Sequence, residues 1–170
     1  MTVIAAVAAG NYTHSLDVSL LSQDLAANTS TLSYVYNIHR NVASGSGAWA
    51  GSPGRSFSVT IDGVGDTETK TFDFRVGADL TAVSGTIVIT HAADGTRSVS
   101  GSFSGPSTYV SAGMPLGSGS GSMSLPRIPR GPKVEVAGAW QQSIAFAEVS
   151  GAWQQCLVYT ESAGAWVLVA

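Results

Sequence analysis

The sequence predicts an all-β protein: an immunoglobulin-like antiparallel β-sandwich followed by a C-terminal β-hairpin repeat module. Three observations carry this expectation. From Asn11 to about Leu125, apolar and polar residues alternate with the period of two that marks half-buried strands. Small turn-forming residues abound, with 20 Gly and 24 Ser in 170 residues, while charged residues make up only 11%. Two Lys and six Arg cannot build the solvent faces of amphipathic helices, so an all-helical fold is excluded. Finally, the last 38 residues carry an internal repeat built on Gly-containing turns.

Taken in order, Met1–Gly10 is apolar with small residues but has no basic segment ahead of it, and reads as an N-terminal arm or strand rather than a secretory signal. Tyr12, His14, Leu16 and Val18 then share one face, and a turn-rich stretch follows at Ser22–Ser30. Leu32, Tyr34, Tyr36 and Ile38 share the next face, with Ser33, Asn37 and His39 opposite. Phe57, Val59 and Ile61 lead into an Asp62-Gly63 turn. Phe72, Phe74 and Val76 are expected on a further strand, Ile87 and Ile89 on another, and Val99 and Phe103 on the one after the Asp94-Gly95 turn. Met123 and Leu125 mark the last strand, entered through the run Gly117–Ser122, where glycine lets another backbone come close. About seven strands separated by turns fit two packed antiparallel sheets, although a closed barrel uses the same pattern.

Leu125-Pro-Arg-Ile-Pro-Arg-Gly-Pro132 has proline at every third position, which favours an extended spacer over a PxxP ligand. Beyond it, Ala137-Gly-Ala-Trp140, Ser150-Gly-Ala-Trp153 and Ala163-Gly-Ala-Trp166 recur at a spacing of thirteen. Each unit reads as a strand, a tight turn and a strand bearing Trp. Isolated two-stranded ribbons are marginal in water, so Trp140, Trp153 and Trp166, with Phe146 and Tyr159, are the candidate assembly residues of a homo-oligomer, a trimer being favoured. The expected organisation is 1–10 arm or strand, 11–126 sandwich, 127–133 proline-rich spacer and 134–170 hairpin repeats.

Two internal stretches and the closing strand carry a resemblance. Asn28-Thr-Ser-Thr-Leu-Ser-Tyr34, the run Ile89-Thr-His91-Ala-Ala-Asp94-Gly95-Thr96-Arg-Ser-Val99 and the end Ser122-Met-Ser-Leu125-Pro-Arg-Ile128-Pro-Arg130 resemble an all-β domain of siphophage tail proteins. The Gly-Ala-Trp units are similar to hairpins that end phage minor tail and tail-tip proteins. Ala92 stands where that pattern has Asn, and Gln follows Trp140 and Trp153 where it has Lys. The resemblance implies a virion structural protein of the distal tail, acting in tail assembly and host-surface attachment, with other virion proteins and a host-surface glycan as partners. A capsid decoration protein is the alternative, and a carbohydrate-binding module the weaker one.

Chemistry-bearing residues are sparse. A net charge of −3 and a pI near 5.4 give no polyanion-binding surface, so nucleic acid is not an expected partner. No apolar run has the length needed to insert into a membrane. His91, Asp94, Gly95 and Thr96 read as a hairpin-turn motif rather than an acid–base pair, since no nucleophile or second carboxylate is near. Asp62, Asp66 and Glu68 read as a solvated hairpin loop rather than a calcium site, because their spacing matches no EF-hand. His14, His39 and His91 have no zinc-ligand spacing. Cys156 is expected as a buried residue of the apolar strand 156–159, and Trp49, Tyr109 and Tyr12 as stacking platforms for sugar only if exposed. Enzymatic activity, a cofactor and a metal are therefore not expected.

Overall fold

The structure, a computed structural model, describes residues 2–42, 54–105, 117–129, 133–136, 139–142, 145–156, 159–162 and 165–168. It is all-β, with no helix among the described residues. Eight strands form two antiparallel four-stranded sheets, a β-sandwich. The first sheet has the order β1 (Thr2–Ala9), β2 (Tyr12–Asp24), β3 (Thr29–Arg40), β6 (Asp79–Thr90). The second has the order β5 (Val64–Lys70), β4 (Arg55–Ile61), β7 (Ser98–Ser104), β8 (Ser118–Ser124).

The core is the alternation made physical. Tyr12, Leu16, Val18, Leu32, Tyr36, Ile38, Phe57 and Val99 are fully buried, and Val59, Ile61, Phe103, Tyr34 and Ile89 nearly so. Phe72 and Ile87 are half-buried against this cluster. Tyr36 packs on Phe103 with ring centroids 4.7 Å apart and meets Phe57 edge-on at 6.1 Å. Burying each such side chain contributes roughly 1.5–3 kcal/mol. At the β4–β5 hairpin, Asp62 and Gly63 both take positive φ (52° and 85°), as a two-residue turn that follows the strand twist requires.

The two open sides of the sandwich are closed differently. On one, β1 lies against β8, and a Cβ on Gly121 would sit 1.8 Å from the Ile4 carbonyl oxygen. Only glycine admits a backbone that close, which is the use of the Gly-Ser run. On the other side, the Tyr34 hydroxyl of β3 donates to Asp66 of β5 (2.8 Å), and Glu68 accepts the Ser84 N–H.

Several expectations need correction. Of the arm or strand expected at the N-terminus, residues 2–9 take the strand form, at the edge of the first sheet, with a register shift between Val3 and Ala5 and with Ala5 and Ala9 buried. Phe72, Phe74 and Val76 do not form a strand: Asp73 accepts N–H bonds from Arg75, Val76 and Gly77, which curls 73–77 into a turn. Phe74 is buried and Val76 is left 88% exposed. Asp66 and Glu68 lie on β5 rather than in a loop, alternating with Thr67 and Thr69. Charges directed inward on an edge strand also discourage pairing with a foreign strand. Asp94-Gly95 does not join paired strands, because β6 and β7 belong to different sheets and 91–97 carries the chain between them.

The chain divides into two compact units, the second comprising 23–29, 90–97 and 126–170. In it, β9 (Lys133–Val136) pairs with β10 (Ala139–Gln142), β11 (Phe146–Val149) with β12 (Ala152–Gln155), and β13 (Tyr159–Ser162) with β14 (Ala165–Leu168). Each pair is a separate two-stranded sheet. Lys133, expected in the spacer, already belongs to β9.

Candidate functional site

Two places in the second unit concentrate the residues singled out in the sequence. The first is a loop cluster formed by the turn ending at Asn28, the 91–97 connection and residues 126–128. Asn28 takes positive φ (58°), a conformation asparagine tolerates better than most residues. From there its Nδ2 donates to the carbonyls of His91 (2.9 Å) and Ala92 (3.1 Å), while its own carbonyl accepts the His91 N–H (2.9 Å). The His91 ring donates from Nδ1 to the Gly95 carbonyl (2.8 Å), which fixes its tautomer. Asp94 accepts the Thr96 hydroxyl (2.7 Å) and the Thr96 N–H (2.9 Å), and these bonds hold its carboxyl below the usual range.

The segment expected as a spacer closes this cluster. Ile128 is fully buried and its N–H donates to the Gly95 carbonyl (2.9 Å). Arg127 donates from Nε to the Asp94 carbonyl (2.8 Å), and Gln23 donates to the Pro126 carbonyl (2.9 Å). A Cβ on Gly95, at φ 82°, would lie 1.9 Å from the Ile128 oxygen. The three stretches that carry the resemblance therefore meet in space. His91 bonds the Gly95 carbonyl and Asp94 the Thr96 N–H and hydroxyl, all within their own loop, the arrangement of a structural fastening.

The second place is the set of hairpins. Their registers are the same: Trp140 stands opposite Glu135, Trp153 opposite Glu148, and Trp166 opposite Glu161. Phe146 is opposite Gln155 and Tyr159 opposite Leu168. The turn of the middle hairpin uses Ser150 and Gly151 at positive φ (55° and 80°). The sequence signal for the Glu–Trp pairing is a Glu five residues before each Trp. Cys156 lies between β12 and β13 rather than inside a strand, and is half-buried.

No family, curated protein or solved structure matches this chain.

The remaining candidates are dispersed. His14 binds Tyr36 in the core, and His39 meets Asp79 at 2.7 Å on the surface. Glu68 pairs with Lys70, whose bond holds the carboxyl down, and Asp66 takes the Tyr34 hydroxyl. Among the described residues no three His, Cys, Asp or Glu side chains cluster as metal ligands. Tyr12 is fully buried against Phe74 and offers no face to a sugar; Trp49 and Tyr109 lie outside the described residues.

The outer face of the second sheet is a feature the sequence reading missed. Ser98, Ser100, Ser102 and Ser104 of β7 stand opposite Ser124, Ser122, Ser120 and Ser118 of β8. Ser58 and Thr60 continue these rows across β4, and Ser58 and Ser56 stand opposite Thr67 and Thr69 on β5. A shallow cleft of about 290 Å³ opens there, lined by Ser56, Phe57, Ser58, Thr67, Ser104 and Gly105. The signal was a serine at every second position of β7 and β8, whose other positions are apolar or glycine.

Proposed function

We propose that this protein is a non-enzymatic structural component of a bacteriophage virion, a minor tail or tail-tip protein that acts in tail assembly and host-surface attachment. The observation that carries the reading is the set of three hairpins with one register. Each has four-residue strands and pairs with no other strand among the described residues, and ribbons of that size need a partner surface to be stable. Three copies of the same Glu–Trp pair in one chain suit repeated contacts in a symmetric assembly better than chemistry at a unique centre. Homo-oligomerisation, with a trimer favoured, and contact with other virion proteins follow from the same feature. The resemblance of the loop-cluster stretches to siphophage tail domains supplies the tail assignment over capsid decoration.

Immunogold labelling of virions tests the location: label at the tail tip supports the reading, and label over the head replaces it with decoration. Light scattering on the purified protein tests assembly, with a trimer expected and a monodisperse monomer at high concentration counting against it.

A carbohydrate-binding role is favoured by one observation, the uncharged hydroxyl-lined cleft on the second sheet. Hydroxyls that both donate and accept suit a neutral glycan. Binding of host-envelope polysaccharide that is lost on Ser58→Trp, which fills the cleft, would support it.

A further inference from the structure

His14 of β2 and Tyr36 of β3 are both fully buried, with His14 Nδ1 and the Tyr36 hydroxyl 2.7 Å apart. Phe103 of β7 lies parallel to the imidazole, 6.2 Å between centroids and 1° between planes. Just beyond the last β7–β8 pair, Ser104 with Ser118, the Gly105 N–H donates to the Gly117 carbonyl (2.7 Å). This glycine pair roofs the two polar side chains. A Cβ on Gly117 would lie 2.5 Å from the imidazole ring, and one on Gly105 3.4 Å from the Tyr36 hydroxyl.

The other ring nitrogen, Nε2, is buried and has no hydrogen-bond partner among the described residues. Its surroundings are apolar or phenolic: Val7 stands opposite on β1, Tyr12 and Leu16 flank it on β2, Tyr36 faces it from β3 and Phe103 from β7. Among the described residues, Tyr12 and Tyr36 are thus the titratable neighbours, and burial pushes the Tyr36 hydroxyl up. We infer that His14 is an acid sensor, whose protonation leaves an N–H of a buried cation without an acceptor and lifts the Gly105–Gly117 clasp to admit water.

The clasp is the weakest wall of this chamber. Among the described residues around the imidazole, Val7, Tyr12, Leu16, Tyr36 and Phe103 belong to paired strands, whereas Gly105 and Gly117 stand past the last pair of the β7–β8 ladder, where opening costs least. A buried charge with an unsatisfied donor supplies the force. The direction of the pH effect is fixed by burial alone, which holds the imidazole down to about 4 from 6.5. A group whose folded pKa is depressed loses its neutral-form advantage as pH falls. Stability is therefore whole above about pH 6.5, declines below it, and has lost this contribution fully below about pH 4. Only the upper part of this window, above about pH 5.5, is clear of ordinary carboxylates, whose midpoints fall near pH 4.

The test is a histidine titration of the full chain by NMR, from about pH 7.5 to 3.5, with amide exchange of Gly105 corrected for its intrinsic pH dependence. His14 is expected to stay neutral well below pH 6.5 and then to take up its proton together with an exchange increase of about tenfold or more at Gly105. In His14→Gln, whose side chain can meet the Tyr36 hydroxyl but takes up no proton here, Gly105 protection is expected to stay flat through the window. A His14 that titrates near pH 6.5 with Gly105 still protected overturns the inference, and so does a Gln variant with the wild-type pH profile. If the Gln variant fails to fold, the wild-type titration decides alone.

Discussion

Replacing Asn28 isolates the fastening of the loop cluster. Asn28→Ala removes the two Nδ2 bonds to the His91 and Ala92 carbonyls and puts a Cβ-bearing residue without a compensating side chain at φ 58°. Each neutral bond contributes about 0.5–1.5 kcal/mol net. The left-handed backbone costs alanine roughly 1–2 kcal/mol more. The expected destabilisation is therefore about 2–5 kcal/mol. Asn28→Gly loses the same bonds but accepts the backbone, so its expected cost is only about 1–3 kcal/mol. Asn28→Asp sets a carboxylate oxygen against two carbonyl oxygens and should be worse than Gly. Urea unfolding of the three variants reads these differences as shifts in midpoint at constant slope. If Ala and Gly both lie within about 0.5 kcal/mol of the wild type, the Asn28 bonds do not hold the loops, and the fastening reading fails.

Gly121→Val should destabilise by about 3 kcal/mol or prevent folding, because its Cβ would overlap the Ile4 carbonyl; Gly65→Ala, whose nearest neighbour is Thr60 Oγ1 at 4.0 Å, should melt like the wild type in circular dichroism. Tyr34→Phe should cost about 1–2 kcal/mol in the same assay by taking the donor from Asp66. Absorbance titration should also show that the Tyr34 phenol, pushed up to about 12 by burial and by Asp66, is missing from the wave near pH 10. Trp140→Ala, Trp153→Ala and Trp166→Ala together should reduce the oligomer to monomer while leaving the melting of the sandwich unchanged; an intact oligomer by light scattering would place the contact elsewhere.

Strand faces were legible because one side of each sheet is apolar, and Leu32 to Ile38 or Phe57 to Ile61 can be read from period two alone. The same rule misled at Phe72 and Phe74. Their alternation satisfies a strand template, but Asp73 competes for the backbone N–H groups and bends it. Asp94-Gly95 was legible as a turn but not as a change of sheet, since strand partners are set by contacts far along the chain. Charges on β5 hid a strand because its inward side reaches polar groups of the other sheet rather than core. In the loop cluster every residue was visible in the sequence. Their meeting was not, because 63 residues separate Asn28 from His91 and only the fold brings them together.

The hairpins of the C-terminal module begin at residues 133, 146 and 159, and each satisfies its ladder within its own ten residues. A thirteen-residue duplication or deletion in phase with them would add or remove one complete ladder and leave the registers of the rest untouched. Copy number is consequently a coordinate along which such a gene can lengthen or shorten by unequal recombination, changing how many hairpins the chain carries without redesigning any one of them.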